Sequence, residues 1–365
     1  MIIKSLSLTD YRNYESLDIS FDSGTNILYG DNAQGKTNIL EAIYLSATTK
    51  SHKGSKDSDI IRFDKEESHI RTILNKEEVD TRIDMHLRKN KTKGIAIDGV
   101  RIKKASELLG LLNVVFFSPE DLGIIKNSPA DRRRFIDMEL CQLDNYYLYN
   151  LNHYNKIVNQ RNHLLKDIYF NPELKDTIKI WDSQLVSYGS KIIERRIDFI
   201  NDLNNIISSI HRSISGERED IYIKYEPNCE SDKLEEMILS SYERDIKLKQ
   251  TTVGPHRDDI SFIVTDTDNK SIDIRRFGSQ GQQRTAALSL KLSEIELVKK
   301  VIKDNPVLLL DDVLSELDSN RQNYLLDSIG DIQTIITCTG LDEFVGHRLK
   351  INKAYKICKG NIISE

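Results

Sequence analysis

The sequence predicts an α/β protein, a core of mixed sheets and helices divided by a long helical insertion. Three observations carry this. A glycine-rich turn between a strand and a helix lies near the N-terminus, and an apolar strand ending in two carboxylates lies near the C-terminus. Between them, apolar residues recur at helical spacing. A chain of 365 residues accommodates two domains, or one domain with a large insertion.

The turn, Gly30-Asp31-Asn32-Ala33-Gln34-Gly35-Lys36-Thr37, fits G-x-x-x-x-G-K-[ST], a phosphate loop. Its glycines let successive N–H groups point at the β- and γ-phosphates of a nucleotide, and the following helix adds the positive end of its dipole. Lys36 then bridges the phosphates, and the Thr37 hydroxyl is a ligand of Mg²⁺. Thr25 to Tyr29 read as a short buried strand, and Asn38 to Leu45 as a helix. Asn38 is counted with the loop as a nucleotide contact.

Composition narrows the classes. The net charge is −5 with a pI near 6.0, so the molecule as a whole does not attract nucleic acid, and any such contact must come from local patches. Cys141, Cys229, Cys338 and Cys358 are scattered, with no C-x-x-C and no nearby histidine at metal spacing. That argues against a zinc site or a disulfide framework and fits a reducing cytosol. No signal peptide and no apolar run of membrane-spanning length is evident, so a soluble cytoplasmic protein is expected.

Leu6 and Leu8, then Leu17, Ile19 and Phe21, alternate as in strands. Residues 68 to 104 read as β-hairpins with turns at Asn75-Lys76, Lys89-Asn90-Lys91 and Asp98-Gly99. Asn113 to Phe117 reads as a buried strand. From Pro129 the character is helical: Val186, Ile193, Ile200, Ile207 and Ile214 recur every seven residues, and Leu140, Tyr147 and Tyr154 begin a rougher stripe. A helical hairpin with a coiled-coil-like seam and a pair of ordinary amphipathic helices both fit. Either way, the expected division is residues 1–129 and 250–365 as two parts of a head, with 130–249 as an inserted helical lobe.

Pro306 to Asp312 is an apolar strand ending in two acids, the Walker B pattern. It would deliver Asp311 beside the Mg²⁺ of the phosphate loop, with Asp312 placed to orient or deprotonate the attacking water. Lys36, Asp311 and Asp312 are therefore the candidate catalytic residues, and Thr37 and Asp311 the metal-binding ones. Before this strand stands Phe277-Gly278-Ser279-Gln280-Gly281-Gln282-Gln283-Arg284, and after it Leu314-Ser315-Glu316-Leu317-Asp318. In this order they resemble the signature motif and D-loop of ABC-type P-loop ATPases. The resemblance implies that Ser279, Gln280, Gly281 and Gln282 close in trans on the γ-phosphate of a second subunit. It also places Ser315 and Asp318 in the D-loop, with Asp318 at the dimer seam.

Further segments extend the likeness: Tyr11-Arg12-Asn13-Tyr14, Ser51-His52-Lys53, Ser118 to Leu122, Arg132 to Phe135 and Gly254 to Asp259. Together and in order, they resemble the RecF family of bacterial recombination-mediator ATPases over essentially the full length. That resemblance implies an ABC-type ATPase head with a helical second lobe, ATP and Mg²⁺ as cofactors, and ATP-driven homodimerisation. It also implies ATP-dependent binding of single- and double-stranded DNA at gaps or junctions, work with RecO and RecR to load RecA, and a nucleoid-associated location. Arg12 and Asn13 lie near the nucleotide in similar proteins. Asp312 replaces the usual catalytic glutamate and is one methylene shorter, so slow, DNA-stimulated hydrolysis is expected, with ATP as a dimer clamp. Gln280 replaces a glycine of the general signature, and Thr337 stands where transporters carry a switch histidine.

DNA phosphates need local cations. Lys50, His52, Lys53 and Lys56 after the phosphate-loop helix are the favoured group, ahead of Arg88 to Lys93 and Arg101 to Lys104; the Arg132-Arg133-Arg134 run suggests nucleotide sensing or dimer contacts instead. The competing readings are a transporter-type nucleotide-binding subunit and a nuclease-coupled SMC-like ATPase. The long insertion speaks against the first, and the lack of an appended carboxylate-rich domain against the second.

Overall fold

The computed structural model describes residues 1–341 and 350–364. The hairpin β1 (Ile2–Tyr11) and β2 (Tyr14–Ser20) comes first, then β3 (Thr25–Tyr29), which leads through the glycine-rich turn into α1 (Lys36–Thr48). A short α2 (Asp57–Ile60) is followed by β4 (Glu67–Lys76), β5 (Val79–Arg88), β6 (Gly94–Ile97), β7 (Val100–Arg101) and β8 (Val114–Phe117). Helices α3 (Pro129–Leu143), α4 (Asn145–Phe170) and α5 (Ile178–Ser215) precede β9 (Glu219–Glu226), α6 (Leu234–Ser240) and α7 (Tyr242–Leu248). Next come β10 (Asp259–Asp266), β11 (Ser271–Asp273), α8 (Ile274–Phe277) and α9 (Gln280–Ile302). Strand β12 (Val307–Asp311), α10 (Ser319–Ile329), β13 (Thr334–Cys338), β14 (Ile351–Cys358) and β15 (Asn361–Ser364) close the description.

Two compact units emerge: residues 1–122 with 287–365, and residues 123–286. The first contains two six-stranded sheets. One is the antiparallel series β2-β1-β4-β5-β6-β7, and the other is ordered β15-β14-β3-β13-β12-β8, parallel except for β15. Helix α1 touches β4 of the first sheet and β8, β12 and β13 of the second. It is accordingly buried almost all round, from Ile39 to Thr48. The expected Asp98-Gly99 hairpin turn is present, with both residues at positive φ (51° and 82°). The turn expected at Asn75-Lys76 lies two residues on, at Glu77-Glu78, because β4 keeps its alternating burial through Asn75 and Lys76 pairs with Val79.

The second unit departs from the expected helical lobe at 130–249 in its bounds and in carrying a sheet. Helices α4 and α5 pack against each other along the predicted apolar stripe, and Ile193, Ile200, Leu203 and Ile207 are all buried. Helix α5 also covers a three-stranded antiparallel sheet, ordered β11-β10-β9. Strand β10, assigned from sequence to the head, pairs with β9 along its whole length, from Asp259↔Glu226 to Asp266↔Glu219. This pairing carries the boundary from 249 to 286, so the signature residues 279–282 fall in the inserted unit. Among the described residues, no helix is long and apolar enough to cross a membrane.

Candidate functional site

Strand order builds the site. Strands β3 and β12 both pair in parallel with β13, so the phosphate loop after β3 and the acid ending β12 meet at the same end of the sheet. Ligand sites of parallel α/β sheets collect at the carboxyl ends of the strands. The hydroxyl of Thr37 donates to Asp311 Oδ1 at 2.8 Å, and that of Thr337 donates to the same oxygen at 2.8 Å. Thr337 also accepts the Asp312 N–H at 2.9 Å, so this one residue links both acids. Burial pushes the Asp311 carboxyl above the usual carboxylate range; the hydrogen bonds from Thr37 and Thr337 pull the other way, and Asp312 adds to the rise. Asp312 sits at φ 50°, a left-handed conformation that aspartate tolerates better than most residues.

The loop has the geometry its glycines predict. Gly30 (φ 141°), Ala33 (φ 62°) and Gly35 (φ 115°) are all at positive φ. A β-carbon on Gly30 would lie 2.4 Å from the Ile357 carbonyl oxygen, and one on Gly35 would lie 2.6 Å from Asn13 Nδ2 and 2.7 Å from the Tyr14 hydroxyl. Lys36 is buried and donates to the carbonyl oxygens of Gly30 (2.6 Å) and Asp31 (3.0 Å). Asp31, Asn32 and Ala33 are exposed at the rim.

The segment Tyr11-Arg12-Asn13-Tyr14 wraps this loop. Asn13 donates to the Gln34 carbonyl and accepts from Asn38, and Tyr14 donates to the Gly35 carbonyl. Arg12 pairs with Glu41 through two hydrogen bonds, at 2.7 and 2.8 Å, and also binds Ser55 Oγ and the Asp59 carbonyl. Glu41, on α1, was not among the residues singled out from sequence. It is fully buried and also accepts from Ser51 and Tyr11. Burial opposes its ionisation, but the hydrogen bonds from Arg12 and Ser51 outweigh that and hold its carboxyl below the usual range. Arg12 therefore serves the wall of the site through Glu41. An acid four residues beyond the loop threonine looks like a helix surface charge, and only the tertiary contacts reveal it.

The favoured basic group separates into two kinds of residue. Lys50, Lys53 and Lys56 are exposed, and the Lys53 charge acts on Asp311. His52 instead stacks on Phe116, with ring centroids 4.1 Å apart, and meets Tyr44 edge-on. Of the second group, Lys93 is held by the Thr49 carbonyl and Asp57, and Lys89 by Glu66.

In the second unit, Ser279 and Gln282 form a reciprocal cap at the start of α9. Ser279 N–H donates to Gln282 Oε1 at 2.8 Å, and Gln282 N–H to Ser279 Oγ at 3.2 Å. Ser279 and Gln280 are exposed. Gly278 turns so tightly that a β-carbon there would lie 2.6 Å from the Ile274 carbonyl oxygen. In the first unit, Ser315 donates to the Asp312 carbonyl, and exposed Asp318 caps α10 and pairs with Arg321. Arg132, read from sequence as a sensor or dimer contact, is buried and bound to Asp259 through two nitrogens, at 2.6 and 2.9 Å.

The family model described as RecF/RecN/SMC N terminal domain matches residues 2–357. The DNA replication and repair protein RecF of Agathobacter rectalis is 64% identical over 362 residues, 99% of each chain. That of Lachnoclostridium phytofermentans is 60% identical, again over 99% of each. The solved structure of the recombination mediator protein RecF-ATP in the RecFOR pathway is similar at a TM-score of 0.90 and 36% identity, covering 99% of this chain and 96% of that one. The Smc head domain of Pyrococcus furiosus with an extended coiled coil, at a TM-score of 0.56 and 16% identity over 99% and 94% of the two chains, shares the fold alone. Near-full-length identity to such relatives, on a fold built around a phosphate loop and a paired acid strand, makes this chain a member of the RecF family of DNA replication and repair proteins.

Proposed function

We propose that the protein is an ATP-switched DNA clamp of recombinational repair, which dimerises on ATP and hydrolyses it slowly. The observation that carries this reading is the contact of Thr37 Oγ1 with Asp311 Oδ1 at 2.8 Å, which joins the phosphate loop to the acid strand. Both are hard oxygen donors of the kind Mg²⁺ takes, so Thr37 and Asp311 would hold the ion, whose charge offsets that of the phosphates. Lys36 and the loop N–H groups of residues 30–38 bind the triphosphate, Asn13 shapes the loop, and Arg12 holds the wall beside it through Glu41. Asp312 orients the attacking water with a side chain one methylene shorter than glutamate, which keeps turnover low. Exposed Ser279 and the Gly281 N–H complete the site on a second copy of the chain.

The relatives are replication and repair proteins, and one solved relative is placed in the RecFOR pathway with ATP. This supports DNA at gaps or junctions as the target and RecO, RecR and RecA as the partners of the same reaction. Lys50, Lys53 and Lys56 are the phosphate-contacting candidates; His52, stacked in the protein, is not.

Light scattering of wild type and Ser279→Arg, without nucleotide and with ADP or ATP, tests the clamp. A dimer formed only with ATP and lost in Ser279→Arg is the expected result. A monomer under every condition, or an ATP dimer that tolerates the arginine, would overturn completion of the site in trans.

A further inference from the structure

We propose that the exposed face of the antiparallel sheet binds a divalent transition-metal cation of the zinc class through Glu67, His69 and His86. Strand register creates the site. In the β4–β5 pair, His69 lies directly opposite His86, and Glu67 opposite Arg88. Side chains two residues apart on a strand share a face, so Glu67 and His69 stand on the side that His86 reaches from across the ladder. Among the described residues, this is the one such group, with one ligand atom from each residue within 4.8 Å of the others. His86 Nε2 lies 2.8 Å from Glu67 Oε2, and His69 Nε2 lies 3.9 Å from Glu67 Oε1. The two imidazoles stack with centroids 4.1 Å apart, inclined by 20°.

A tetrahedral ion with bonds of about 2.0–2.2 Å separates its ligand atoms by roughly 3.3 Å. The observed spacings bracket that value, and Glu67 and His69 are exposed, so side-chain rotation suffices to close on an ion. The donor set selects the metal. Two imidazoles and one carboxylate suit Zn²⁺, Co²⁺, Ni²⁺ or Cu²⁺, whereas Mg²⁺ and Ca²⁺ prefer oxygen throughout. The site is thus chemically separate from one that holds Mg²⁺ at Thr37 and Asp311.

The surroundings leave room for it. Gly94 is the β6 residue opposite His86, so no side chain stands over the imidazole from that strand. A cleft of about 510 Å³ opens there, lined also by Arg71, Arg88 and Arg101. Asp84, on the same cleft, is already held by Arg71 and Arg82. Water, or an anion drawn in by the arginines, therefore completes the coordination. The bound ion would tie β4 to β5, stabilising the hairpin because the unfolded chain offers no such site. Sequence spacing argued against zinc on the cysteines; this group is visible only once two strands are in register.

The test uses the full chain, free of any histidine tag, stripped by a chelator that is then removed, and kept free of nucleotide. Co²⁺ is titrated by visible absorption and Zn²⁺ by calorimetry, for wild type, His86→Ala, Glu67→Gln and, as a remote control, His163→Ala. We expect one equivalent bound, a rise in melting temperature with Zn²⁺, and full retention of both in His163→Ala. Removing a ligand should weaken binding by about 100-fold or more, at or beyond the 10–100-fold typical of an outer partner. Glu67→Gln keeps the size of the side chain, so it reports even if His86→Ala melts early. Binding weaker than millimolar, or binding that survives both ligand variants, would overturn the site.

Discussion

Lys36 in the first unit and Arg196 in the second are both buried cations, and their surroundings are opposite. Lys36 has only the neutral carbonyls of Gly30 and Asp31 as acceptors among the described residues. Arg196 is met by Asp137 and Asp258, the Tyr147 hydroxyl and the Pro255 carbonyl, so that one side chain ties α3, α4 and α5 to the segment before β10. Arg161 repeats the pattern with Asp182 and Asp245, and Arg132 with Asp259. A buried cation with its countercharges supplied by the protein is architecture. One without them is built for an anion from outside.

Three measurements would break or sharpen that contrast. The largest effect is expected from Arg196→Ala, which strands Asp258 in the interior. Breaking a buried pair costs about 3–5 kcal/mol, read as a lower urea midpoint with nucleotide absent. Lys36→Ala should do the reverse: ATP affinity falls by about 100-fold or more through lost charged hydrogen bonds, while the urea midpoint of the nucleotide-free protein stays near that of wild type. If Lys36→Ala destabilises as much as Arg196→Ala, the contrast fails.

The smallest and most specific effect is on pH dependence, and two adjacent aspartates supply it. For Asp259, burial opposes ionisation, but Arg132, the Ile260 N–H and Arg275 outweigh it and hold the carboxyl below the usual range. For Asp258, burial wins over Arg196 and Tyr225, and the carboxyl is held above that range. A carboxyl with a lowered folded pKa adds stability that is present above its unfolded value, near 3.9, and lost as pH falls toward the folded one. Asp259→Asn should therefore flatten the acid limb of urea midpoints measured from pH 5 to 3, and Asp258→Asn should not. Equal slopes for the two variants would sink the assignment.

The head was legible in the sequence because its chemistry is local. Gly30 to Thr37 declare themselves by spacing, and an apolar run ending in Asp311 needs no partner to be read as a buried strand. The lobe was harder. Ile221, Ile223 and Tyr225 alternate as a strand, but three residues of alternation between a long helix and a loop gain meaning only when β10 pairs with them. Glu41 and Arg132 were missed or misread for one reason. A charged residue on a helix looks exposed in sequence, and burial with a distant partner leaves no local mark. Asp258 and Asp259, quoted from sequence only as part of the likeness, likewise give no local sign of their partners and are bound up in holding α3, α5 and α8.

One contact has a consequence for biosynthesis. The loop's first glycine lies against the Ile357 carbonyl, while Gln34 accepts hydrogen bonds from the N–H groups of Lys359 and Gly360. The phosphate loop is thus braced by residues made more than 300 positions later. A nascent chain that already carries the glycines and the lysine cannot set them in their final frame until translation has passed these late residues.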